Sequence, residues 1–119
     1  MTEDDTKSFG VERRESTRYD VRLDVNYRHG DNFLFSRTSD ASELGIFLVS
    51  ENPLPEGSSL ELEFNAPHSR EPIRVLGTVT WVEQGVSGKE PGMGIKFINL
   101  TPKVQTRIKS LIRIFAILD

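Results

Sequence analysis

The chain has 119 residues, 36% of them hydrophobic, which is enough for one domain around one core and too short for two of comfortable size. It has no cysteine, which excludes disulfides and thiolate metal sites, and its two histidines, His29 and His68, lie far apart without ligand spacing, so neither a metal nor another cofactor is expected. A formal net charge of -3 argues against a dedicated DNA- or RNA-binding protein; any basic site must be local.

Residues 1–12 are polar and acidic, with a lone Phe9 and no regular period, so a flexible tail is expected there. No apolar run stands behind it, which reads as neither a secretory signal nor a membrane anchor and makes the cytoplasm the expected location. From Val21, the apolar residues Val21, Leu23, Val25 and Tyr27 alternate with Arg22, Asp24, Asn26 and Arg28, the pattern of a strand with one buried face. His29-Gly30-Asp31-Asn32 supplies turn chemistry, and Phe33 to Thr38 reads as the returning arm of a hairpin. A loop is expected from Asp40 to Gly45, then a buried strand over Ile46–Val49 that ends in a Pro/Gly turn. Leu60, Leu62 and Phe64 mark another half-buried strand.

After the polar connection from Asn65 to Pro72, Ile73, Val75, Gly77, Val79 and Trp81 alternate with Arg74, Leu76, Thr78 and Thr80 in a long strand. This alternation assigns Trp81 to the core in preference to the barrel rim, where an aromatic could instead flank a bound purine. A Gly-rich loop from Glu83 leads to a last strand over Met93–Phe97. Short strands with frequent turns and no intervening helices indicate a barrel or sandwich. Thr101-Pro102 then supplies an N-cap and a first-turn proline, and Val104, Ile108, Leu111, Phe115 and Leu118 define a C-terminal amphipathic helix. Ile112, Ile114 and Ile117 widen its apolar stripe.

Two segments carry candidate chemistry. Arg13-Arg14-Glu15-Ser16-Thr17-Arg18 gathers three guanidinium groups just before the first strand of an acidic chain. The planar guanidinium fork suits phosphate, pairs with the O6/N7 edge of guanine and stacks on purines. Spacing alone leaves open a solvated basic stretch that balances the acidic tail. Asp40-Ala41-Ser42-Glu43-Leu44-Gly45 offers a carboxylate able to accept from guanine N1 and N2, a hydroxyl donor, and a glycine that permits close approach. Taken alone, it also fits an ordinary interstrand turn.

Together, Arg14-Glu-Ser-Thr-Arg18 and Asp40-Ala-Ser42-Glu-Leu-Gly45 resemble the R-x-x-x-R and [D/N]-x-S-x-x-G motifs of the PilZ domain family, and the strand and helix pattern from Arg13 onward follows the family order. The resemblance implies a mainly β fold: a six-stranded antiparallel barrel with a C-terminal helix, divided as arginine loop 13–19, barrel 20–99 and helix 102–118. It also implies a non-enzymatic receptor that binds cyclic di-GMP on its outer surface, changes conformation and signals through an unidentified downstream protein. Arg14 and Arg18 would bind phosphates and guanine, Asp40 and Ser42 would contact guanine and nearby oxygens, and Gly45 would keep the surface open. Arg13, directly before the motif, goes in this family with an intercalated ligand dimer. Leu44 stands where many relatives carry a second glycine, and Glu43 adds negative charge beside an anionic ligand. The rival reading is a PilZ-like protein-interaction module with an idle nucleotide site; an enzyme is disfavoured because no nucleophile–base pair or phosphate loop is present. His29 and His68 read as exposed loop histidines, and Thr101 of the Asn99-Leu-Thr101 sequon reads as a helix cap.

Overall fold

This computed structural model describes residues 17–67 and 69–118. The alternating segments form β1 (Asp24–His29), β2 (Asn32–Ser42), β3 (Gly45–Val49), β4 (Ser59–Phe64), β5 (Ile73–Glu83) and β6 (Gly92–Ile98), followed by α1 (Pro102–Leu118). Every pairing is antiparallel, and the order β1-β2-β3-β6-β5-β4 closes on itself as β4 pairs with β1. Inward positions fill the barrel with Val25, Tyr27, Ile46, Leu48, Leu60, Leu62, Phe64, Ile73, Val79, Met93, Ile95 and Phe97. Phe64 and Phe97 meet edge to face with ring centroids 6.2 Å apart, a favoured aromatic geometry.

Thr101 caps α1 as its spacing predicts: its Oγ1 accepts from the amide of Val104 at 3.2 Å. Ile108, Leu111 and Ile112 join the barrel core, so the helix closes one end of it. Arg107 fixes the helix laterally by donating to the Glu71 carbonyl at 2.6 Å and to Ser69 Oγ at 3.1 Å. The wide apolar stripe is therefore largely used within the chain, with Val104 and Phe115 partly buried against the same core.

Three expectations need correction. The first ladder begins at Asp24, not Val21, although Val21 and Leu23 are buried. Before Asp24 the chain lifts from β2, and the buried Thr38 hydroxyl fills the gap by donating to the Val21 carbonyl at 2.6 Å and accepting from the Leu23 amide at 3.0 Å. The expected loop from Asp40 to Gly45 is instead a tight hairpin: Ser42 pairs with Gly45, and only Glu43 and Leu44 turn. Finally, Trp81 lies outside the barrel. The register of β5 shifts between Val79, opposite Ile95, and Trp81, opposite Gly94. One extra residue, Thr80, inverts the alternation. Trp81 turns outward at 48% exposure, and Val82 packs against the core in its place.

Thr38→Val keeps the side-chain shape while leaving the Leu23 amide and the Val21 carbonyl without their buried partner. The expected loss is about 1–3 kcal/mol of unfolding free energy, measured by urea titration. An unchanged midpoint would contradict the bridging role of the hydroxyl.

Candidate functional site

The site is built on a second register shift. In β2, Thr38 sits opposite Leu48 and Asp40 opposite Phe47, with Ser39 as the extra residue. Thr38 and Ala41 point inward and are fully buried, while Asp40 turns to the outer face. The ladders then run Asp40, Phe47, Gly94 and Trp81 side by side across β2, β3, β6 and β5. The neighbouring row is Ser42, Gly45, Lys96 and Thr78. A carboxylate, a hydroxyl, a cation and an aromatic ring thus share one face.

Arg18 reaches this face because the segment entering the barrel is clipped to β2: Tyr19 and Ala41 exchange backbone hydrogen bonds of 2.9 and 3.0 Å. From there the Arg18 guanidinium donates through Nε to Asp40 Oδ1 at 2.9 Å and through Nη2 to the same oxygen. Its Nη1 lies 3.5 Å from Ser42 Oγ, the long end of hydrogen-bond range. Ser42 itself is fully buried, and its Oγ accepts from the amides of Leu44 at 3.1 Å and Gly45 at 3.2 Å, which fixes the two-residue turn. Gly45 is required by packing: a Cβ there would collide with the carbonyl of Ile95 on β6. Three motif residues, Arg18, Asp40 and Ser42, are in contact, and Gly45 adjoins them. Arg13 and Arg14 lie outside the described residues.

Glu43 does not face the cluster. Its carboxylate accepts from Gln105 Nε2 on α1 at 2.7 Å, which draws that charge toward the helix. Leu44 remains exposed at the turn. On the outer side of the sheet the exposed Trp81 packs against the buried Phe47 to form an aromatic shelf, with ring centroids 5.2 Å apart and a 36° tilt. Gly94 makes the shelf possible, because any Cβ at that position would penetrate the indole of Trp81. Motif reasoning missed Lys96 and Phe47. Strand parity was the signal for Lys96, since Ile95 and Phe97 beside it are core residues. His29 ends β1 with its Nδ1 3.1 Å from the Ser59 carbonyl, and His68 lies outside the described residues.

Among the described residues, no group of three or more His, Cys, Asp or Glu side chains has the arrangement of a metal site. No described helix is long and apolar enough to cross a membrane. A groove of about 700 Å³, lined by Tyr27, Leu34, Leu62, Val75 and Val104, does not include Arg18, Asp40 or Ser42. The Arg18–Asp40 pair lies at the surface, beside β2.

A closed antiparallel barrel, packed against a helix and bearing an Arg–Asp–Ser cluster beside its entry segment, defines a small β-barrel domain. The chain matches the PilZ domain family over residues 12–113 and belongs to that family. No curated protein matches it. Among solved structures it is similar to the inhibitor of motility of Bacillus subtilis, with a TM-score of 0.70 and 20% identity, covering 88% of this chain and 50% of that one. It is also similar to the PilZ domain of Escherichia coli YcgR, solved with cyclic di-GMP, at a TM-score of 0.63 and 20% identity over 85% of this chain and 92% of that one. A longer Escherichia coli YcgR chain in complex with cyclic di-GMP gives a TM-score of 0.63 and 20% identity, over 89% and 46% of the two chains. This chain therefore spans about half the length of the Bacillus protein and of the longer YcgR chain, and the likeness at such identity concerns the fold.

Trp81 is the single tryptophan and reports directly on this face. Gly94→Ala is expected to displace the indole from the sheet and shift its fluorescence emission to the red. An unchanged spectrum would contradict its stacking on Gly94.

Proposed function

We propose that this chain is a receptor for cyclic di-GMP, bound on the outer face around Arg18, Asp40 and the Phe47–Trp81 shelf. The observation that carries the proposal is the contact of Arg18 with Asp40 and Ser42, 22 or more residues away in sequence, which sets an accessible Arg–Asp pair above the buried Ser42 hydroxyl on the outer side of the barrel. Family membership and two similar structures solved with cyclic di-GMP support the same reading.

Each group has a distinct task. Arg18 and Arg14 donate paired hydrogen bonds to phosphate or to the O6/N7 edge of guanine. Arg14 is four residues from Arg18, so their Cα atoms lie within about 14 Å of each other, inside the span of a dinucleotide ligand. Asp40 accepts from guanine N1 and N2. The buried Ser42 hydroxyl holds the turn and helps aim Arg18, and Gly45 lets β3 close onto β6. Lys96 adds positive charge to the same row, and the half-exposed Trp81 offers a ring face to a purine. Arg13 supplies a further guanidinium, and with it we assign two intercalated ligands per chain.

The Arg18–Asp40 pair is accessible, with side-chain exposures of 50% and 32%. Exposed pairs of this kind contribute only about 0–1 kcal/mol. A phosphate or guanine can therefore take over either partner at small cost. In the proposed mechanism the ligand draws the Arg13–Arg18 segment onto the barrel, and a downstream protein reads the reshaped surface. The domain carrying this function runs from residue 13 to 119, and its action is binding without turnover.

Calorimetric titration with cyclic di-GMP tests the proposal. Wild-type protein is expected to bind at micromolar or tighter affinity with two ligands per chain, the Arg14→Ala, Arg18→Ala double variant to lose binding, and Arg13→Ala to fall to one ligand. No heat and no thermal stabilisation of the wild type would refute the receptor reading, and ligand recovered as a linear product would refute the absence of turnover.

A further inference from the structure

The β1–β2 hairpin extends beyond the strand that covers it. It pairs continuously from His29↔Asn32 to Asp24↔Arg37, whereas β3 meets β2 only from Thr38 to Ser42. Asn32 to Ser36 therefore have β1 on one side and, among the described residues, no strand on the other. Gly30, with φ +60°, takes the first central position of the two-residue turn, as a type II′ hairpin requires. Residues flanking such a turn form a hydrogen-bonded pair, so positions 32, 34 and 36 bond to β1. Thr38 keeps this parity, its amide donating to the Leu23 carbonyl at 3.0 Å. The amides and carbonyls of Phe33 and Phe35 consequently point away from β1.

This free edge lacks the usual protection. Natural sheet edges are blunted by lysine, proline or a bulge, and Asn32-Phe33-Leu34-Phe35-Ser36 contains no lysine or proline. Its side chains are instead apolar and accessible: Phe33 is 76% exposed, Phe35 65% and Leu34 43%. Arg28 holds Phe33 against the outer face, with its guanidinium carbon 5.6 Å from the ring centroid. The Ser36 hydroxyl donates to the Val49 carbonyl at the end of β3, so the open stretch stops at Ser36.

The segment is also self-complementary. In an antiparallel pairing with its two-fold axis at Leu34, Phe33 lies opposite the partner's Phe35, and the outward backbone groups of both residues meet as hydrogen-bonded pairs. Asn32 lies opposite the partner's Ser36. Asp31, exposed in the turn just before this stretch, lies at the end where the partner's Arg37 arrives, so opposite charges flank the pairing at both ends. Arg37 already holds Glu90, and guanidinium, with five donors, accommodates a second carboxylate. A one-residue slip would break the charge match and move the phenylalanines off one another.

We infer that the Asn32–Ser36 edge is an isologous interface through which two copies of this chain pair their β2 strands antiparallel. The edge is at the opposite end of β2 from Ser42. Asp40 is five positions beyond Phe35, about 17 Å of strand, so the arginine face stays open in the dimer. Pairing is thus independent of nucleotide binding.

Sedimentation velocity on the full chain, over a concentration series up to about 1 mM, is the test. A monomer–dimer equilibrium is expected, with amide exchange at Phe33 and Phe35 slowing as concentration rises. Phe35→Lys, at an exposed position, is expected to weaken dimerisation at least about tenfold while keeping its far-UV circular dichroism spectrum. Asp31→Arg is expected to weaken it and Asp31→Glu to retain it. A chain that stays monomeric throughout, or a dimer indifferent to Phe35→Lys or to Asp31→Arg, would overturn the inference.

Discussion

Two single-residue bulges, at Ser39 in β2 and Thr80 in β5, decide what the outside of this barrel presents. A strand has a side-chain period of two, so one inserted residue exchanges the two faces for everything beyond it. With uninterrupted alternation from Thr38, Asp40 and Ser42 would enter the core with it. Burying an unpaired carboxylate there would cost many kcal/mol. The bulge sends Asp40 outward and returns Ala41 to the interior. The bulge at Thr80 similarly places Trp81 outside and lets Val82 follow Val79 against the core. Because the two shifted strands flank β3 and β6, their outward residues fall into adjacent rows on one face.

The face combines fixed and movable parts. Asp40, Ser42, Phe47, Gly94 and Lys96 are set by strand register, and Gly45 and Gly94 admit neighbours that any larger residue would exclude. Arg18 enters from outside the barrel and is tethered by the backbone clip between Tyr19 and Ala41. Its contact with Asp40 is a weak, accessible ion pair, suited to exchange for a stronger ligand contact. Strands thus carry the acceptor and the ring, and Arg18 meets them from the tethered entry segment.

Much of this was legible in the sequence. The alternation through Val25 and Tyr27, through Leu60 to Phe64 and through Ile73 to Val79 marked inward residues correctly, and Thr101-Pro102 marked the helix start. The pairing of the arginine and Asp-x-Ser-x-x-Gly segments pointed to one site, and Arg18, Asp40 and Ser42 do meet. The bulges were not legible. Neither Ser39 nor Thr80 is a glycine or proline, so nothing local announced a change of parity, and Trp81 was assigned to the wrong side. The extent of β2 was also hidden, because Asp, Ser and Gly are turn formers and masked a strand that continues to Ser42. Lys96 was legible from parity alone but carried no motif. Contacts made between distant strands, such as Trp81 over Gly94, have no local signature.

Backbone and indole amide resonances of the protein, followed during titration with cyclic di-GMP, test the proposed site most directly. The expected perturbations cluster on Arg18, Asp40 to Gly45, Phe47, Gly94, Lys96 and the Trp81 indole, with intermolecular contacts from the Trp81 ring to guanine. Perturbations confined to the groove beside Tyr27, Leu34 and Val104, with the Arg18–Asp40 face unchanged, would contradict it.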